Sequence, residues 1–125
     1  MKVYYGKAIY NHKEISAAVR VLKKTNLNLV DGPAVKDLEK KVAKLFGKNY
    51  GLMVNSGSSA NLLGLSSFKF KKGSEIITPS LTFATTVAPI YQLGLIPHFI
   101  GVEENRFIAD PEQIEKSVNK KTVAL

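Results

Sequence analysis

The residues best placed for chemistry are at positions 55–59, NSGSS, between a short apolar run and a helical one. Gly57 lets the backbone come close to a ligand, while Ser58 and Ser59 offer hydroxyl and amide donors. The free N–H groups and positive dipole end of the following helix favour an anion, so the stretch reads as a phosphate cup. A second polar turn at 79–82, PSLT, also follows an apolar run and leads into Phe83 and Thr85. In an open α/β sheet, ligands gather at the carboxyl ends of strands. If the two runs lie near one another, a flat ring stands beside the cup, which suits a ligand made of a ring and a phosphate.

Other chemistries fit less well. Ser58 as a hydrolase nucleophile lacks the second glycine of the nucleophile elbow, since the run reads GSSAN. His12 and His98 are far apart in the pattern and have no HExxH or cysteine partner, so they form no metal site and read as surface or packed histidines. No G-x-G-x-x-G follows any strand. The serines could also cap a helix without any ligand, and a Phe at a helix start usually packs on a sheet.

The elements that must position these residues follow from periodicity. Asn11 with Glu14 forms a capping box, and Ile15, Val19 and Leu22 share one face of a helix expected over about 13–24. Gly32-Pro33 opens a second helix that would turn Val35, Leu38, Val42, Leu45 and Phe46 inward and close at Gly47. Then comes an alternation: strand 50–54, helix about 59–70, strand 75–78, helix 83–93, strand 96–100. Gly73 and Gly94 supply turns. Asp110-Pro111 with Gln113 starts a further helix through Ile114 and Val118, and residues 122–125 begin another apolar strand. Short apolar strands between helices indicate a parallel sheet covered on both faces.

Composition narrows the class. The chain has 125 residues, 45% apolar, enough for one domain or part of one. No stretch approaches the ~20 apolar residues that span a bilayer, and the N-terminus lacks the build of a signal peptide. The absence of cysteine excludes disulfides and thiolate metal sites and is compatible with the cytosol. The net charge of +8 raises nucleic acid as a partner. Apart from Arg20 and Arg106, however, it comes from lysines scattered along the chain, with no nucleic-acid motif, and reads as solvated surface.

VNSGSSANLLGL followed by ITPSLTFATTVAPIYQLGLIP resembles the N-terminal half of the DegT/StrS family of PLP-dependent sugar aminotransferases, over nearly the whole chain. The family's glycine-proline turn and amphipathic helix correspond to DGPAVKDLEKKVAKLFG, and its Ser-Gly-Thr phosphate motif to Ser56-Gly57-Ser58. The resemblance implies part of the three-layer αβα sandwich of a fold-type-I large domain with a mostly parallel sheet, residues 1–33 forming a helix and connector and 34–125 the first part of that domain. It implies that Gly57, Ser58 and Ser59 hold the phosphate of pyridoxal 5'-phosphate, that Phe83 stacks on its ring, and that Asn28 and Leu29 approach a nucleotide-sugar substrate. It further implies a cytoplasmic homodimer using an amino-acid donor, with neither nucleic acid nor membrane as partner.

The chain departs from the family pattern at Ser74 and at Gly101, where many members carry acids. The Schiff-base lysine and the acid that holds the pyridine nitrogen lie, in the family, beyond the position of Leu125. A Schiff-base lysine must be desolvated or otherwise activated, whereas Lys69, Lys71 and Lys72 occupy a charged helix end and are not expected to substitute. The expectation is a fragment without transamination activity, with weak or no binding of the cofactor and exposed apolar edges that favour self-association. Amino transfer to a keto group of a nucleotide-linked sugar is the expected reaction of the intact enzyme. The alternatives are the family's PLP- or PMP-dependent sugar 3-dehydratases, toward which ANLL and TTVAPI lean, and a basic anion-binding domain without catalysis.

Overall fold

A computed structural model describes residues 2–24 and 29–125, in two compact units, Met1–Met53 and Val54–Leu125. In the first unit, helix α1 (His12–Leu22) begins with the expected capping box. The Asn11 side chain accepts from the Lys13 amide, and the Glu14 carboxylate accepts the Asn11 N–H at 2.8 Å. That backbone bond holds the Glu14 carboxyl below the ordinary carboxylate value. Helix α2 (Pro33–Leu45) starts on Pro33, whose missing N–H costs nothing at a first helical position, and Gly47 turns the chain away at φ +62°. Ala43 is its buried residue. Leu38 and Val42 stay 44% and 42% exposed and Leu45 and Phe46 more so, which departs from the inward stripe expected of them. Apolar periodicity shapes the helix, and closing a core over it takes more surface than this unit provides.

The expected strand at 50–54 is not formed. The segment makes no ladder with any described strand. The Met53 N–H donates instead to the Glu39 carboxylate at 2.7 Å. Gly51 lies so close to α2 that an added Cβ would stand 2.6 Å from the Glu39 carbonyl oxygen. An apolar run becomes a strand through its neighbours, and here a helix takes the place of one.

The second unit carries α3 (Gly57–Ser67), β1 (Glu75–Pro79), α4 (Ala84–Gln92), β2 (Ile96–Ile100), α5 (Pro111–Ser117) and β3 (Thr122–Ala124). The three strands form a parallel sheet in the order β2-β1-β3, as expected of α/β alternation. β1 pairs with β2 along its whole length, from Glu75 opposite Ile96 to Pro79 opposite Ile100. Ile76, Ile90 and Leu95 are buried between sheet and helix, with Leu65, Phe70, Leu93 and Ala124 packed around them. At the amino end of the sheet the Asn119 side chain donates to Glu75 at 2.7 Å, and His98 Nδ1 lies 3.5 Å from the same carboxylate. The Asn119 bond is the main cause that lowers the Glu75 pKa, with His98 adding to it.

Boundaries shift for local reasons. α3 starts at Gly57 instead of 59 because Ser56 caps it, and stops at Ser67 because Lys69 adopts a left-handed backbone, φ +52°. That turn brings Phe68 and Phe70 into a parallel stack with centroids 5.3 Å apart. Gln113 also departs from a plain capping role: its side-chain NH₂ donates to the Asp110 carboxylate, while its carbonyl oxygen accepts the Gly101 N–H at 2.8 Å. Among the described residues no helix is long and apolar enough to cross a membrane.

Candidate functional site

Two helix starts meet at the carboxyl end of β1. At the first, Ser56 has extended backbone, and its Oγ accepts the Ser59 N–H at 3.1 Å and donates to the Ser59 Oγ at the same distance. The amide of Ser59 is therefore consumed inside the cap, and what Ser59 can offer a ligand is its hydroxyl. Gly57 and Ser58 occupy the first two helical positions, where an N–H has no acceptor within the helix. No other described group accepts them. A Cβ built on Gly57 meets nothing within 4 Å, so the approach to these two amides is open.

At the second start, Phe83 caps α4 from extended backbone without a side-chain bond, and the residue is 71% exposed. The Asn61 side-chain amide, one turn into α3, donates to the Thr85 carbonyl in the first turn of α4 at 3.3 Å. Between the helices lies a cleft of about 220 Å³ lined by Ser58, Ser59, Leu62, Thr85, Ala88 and Gln92. Thr85 thus stands in the first turn of a helix across the cleft from Ser58 and Ser59, although the strand expected before the serines is not formed. Residues 53–68 and 76–97 contain no Asp, Glu, Lys or Arg. An anion here would be held by oriented N–H and O–H dipoles, the usual chemistry of a helix start. Those donors and the open ring fit a phosphorylated aromatic cofactor.

A second hollow of this unit, about 480 Å³, is apolar, lined by Leu65, Ile76, Ile90 and Ile114 among others. Its buried hydroxyl, Thr78 Oγ1, has no hydrogen-bond partner. In the first unit Leu29 lines a hollow of about 370 Å³ with Val21, Lys24, Gly32, Pro33 and Asp37. Asn28, expected beside it, lies outside the described residues. Among the described residues no cluster of His, Asp or Glu could hold a metal ion.

Sequence reasoning overlooked the bond from Asn61 to Thr85. A signal was present: Pro89 stands four residues after Thr85 and leaves that carbonyl without its helical donor.

The sequence profile of the DegT/DnrJ/EryC1/StrS aminotransferase family matches residues 9–125. The GDP-4-keto-6-deoxy-D-mannose 3-dehydratase of Yersinia pseudotuberculosis is 33% identical over 122 residues, covering 93% of this chain and 30% of that enzyme. The Escherichia coli GDP-4-keto-6-deoxy-D-mannose-3-dehydratase, solved with bound hydrated PLP, superposes with a TM-score of 0.83 at 34% identity over 93% of this chain and 31% of that one. An aminotransferase from Psychrobacter cryohalolentis shares the fold, with a TM-score of 0.78 at 24% identity, covering 91% of this chain and 29% of the other. The chain thus spans about a third of the length of the relatives it matches.

Proposed function

The chain belongs to the DegT/DnrJ/EryC1/StrS aminotransferase family, and we propose on that footing that it forms the phosphate-holding part of a PLP-dependent enzyme acting on a nucleotide-linked keto sugar. The observation that carries the proposal is the pair of open amides on Gly57 and Ser58 at one wall of a cleft whose other wall is the first turn of α4, which the exposed Phe83 caps. Gly57 and Ser58 would hold the phosphate through N–H donors, and Ser58 and Ser59 through hydroxyls. Phe83 would lie against the pyridine ring and exclude water from one face. When bound, the cofactor supplies an electron sink for carbanionic chemistry at the sugar carbon. The residues of this chain bind and orient it. Leu29, and Asn28 before it, would approach the nucleotide-sugar.

Two reactions fit. Transfer of an amino group from an amino acid to the keto sugar is the reaction for which the family is named. The second reading, 3-dehydration, is favoured by a specific observation: the 33–34% identical relatives above carry that name, whereas the aminotransferase at 24% shares the fold alone. A homodimer is the proposed state of the whole enzyme.

The test is a chimera in which residues 9–125 replace the matching segment of the E. coli 3-dehydratase. A soluble chimera that retains PLP and turns over GDP-4-keto-6-deoxy-D-mannose supports the reading. A folded chimera that loses PLP contradicts it.

A further inference from the structure

We propose that Asn61 is a positioning residue whose side-chain amide replaces the backbone donor that Pro89 lacks, fixing the first turn of α4, and with it Phe83, against the open amides of α3. In an uninterrupted helix the N–H of residue 89 would donate to the carbonyl of residue 85. Proline has none, so the Thr85 carbonyl is left without that bond, two residues after a cap that itself has no side-chain bond. Asn61 fills the gap from the neighbouring helix at 3.3 Å.

Three features make the bond a device for alignment. Pro89 is buried, so α4 is pinned to the core at the residue that creates the vacancy. Asn61 lies one turn beyond Gly57, on the helix whose start carries the open amides. Phe83 immediately precedes the turn that Asn61 holds, with no side-chain cap bond of its own. The cleft between the helices, with Ser58 and Ser59 on one wall and Thr85 on the other, keeps its width only if the two starts stay in register. The part of the inference that concerns the ligand rests on the cofactor reading above; the hydrogen bond and its effect on α4 do not.

The experiment is a double-mutant cycle on the whole chain with Asn61→Asp, which keeps the shape, removes the donor and adds a charge, and Pro89→Ala, which restores a helical donor to Thr85. Asn61→Ala serves as a second probe of the same site. Without ligand, Asn61→Asp is expected to move the Thr85 carbonyl ¹³C resonance and to speed amide exchange in the first turn of α4 about five-fold, the scale of one net hydrogen bond. In the Pro89→Ala background the same substitution is expected to do neither. With added PLP, the uncharged Asn61→Ala is expected to weaken binding by a similar factor, and Pro89→Ala to restore it. An unchanged carbonyl resonance and exchange rate overturns the inference, as does an equal effect in both backgrounds. If the ligand-free cycle behaves as expected while PLP leaves the Gly57 and Ser58 amides of the parent chain unmoved, the cofactor reading fails and the coupling of the two helices stands.

Discussion

Residues 50–57 and 75–84 look alike as sequence, each an apolar run, a polar turn and a helix start, yet they fold differently. The second becomes β1, paired on both sides, and runs into a helix that no side chain of its own caps. The first forms no ladder, lies against α2 through Gly51 and Glu39, and runs into a helix that Ser56 caps. The difference shows that a strand is made by its neighbours, whereas a helix start is made by its own side chains. It also separates two features of the candidate site: one junction presents open amides and the other an exposed phenylalanine.

The largest effect should come from Gly51→Ala, because the new methyl would meet backbone at 2.6 Å. We expect a loss of about 1–3 kcal/mol, read from urea unfolding. Loss of no stability there would mean that the contact with α2 does not organise this junction. Ser56→Ala should cost about 1 kcal/mol, with Ser56→Asp milder, since the Ser59 amide loses its acceptor. A neutral result would remove Ser56 from the cap. Gly64→Ala should act in the opposite direction to Gly51→Ala, because Gly64 lies inside α3 and its Cβ site is open. A gain of about 0.5–1 kcal/mol in the same unfolding assay is expected.

The smallest effect concerns acid at the far end of β1. The folded-state pKa of Glu75 is lowered, chiefly by Asn119, so its contribution to stability is present above the ordinary carboxylate value of 4.5 and is lost as pH falls through the folded value. Glu75→Gln should flatten the fall in urea midpoint below about pH 4.5 while leaving the slope near neutrality unchanged. An identical acid limb in both proteins would contradict this.

Much of the fold was legible because local rules decide it. The Asn11–Glu14 box, the Gly32-Pro33 start and the glycines at 73 and 94 all stand where their backbone requirements predict. The alternation after residue 56 gave the parallel sheet. What was not legible depends on distant partners. Nothing local in residues 50–54 reveals that Glu39, fourteen residues before Met53, takes the ladder's place. The Asn61 bond to Thr85 spans 24 residues and is suggested only by reading a proline as a missing donor. The serines were legible as a group, but their division was not: Ser59 gives its amide to the cap, and Gly57 and Ser58 keep theirs open.

The central claim is that the start of α3 holds the phosphate of a ring-bearing cofactor, and ¹H–¹⁵N spectra of the chain titrated with pyridoxal 5'-phosphate, inorganic phosphate and pyridoxal test it most directly. The Gly57 and Ser58 amides should move with the two phosphorylated ligands and stay in place with pyridoxal, while Phe83 responds to PLP and not to phosphate alone. Equal shifts with pyridoxal, or shifts with PLP that leave Gly57 and Ser58 unmoved, would contradict it.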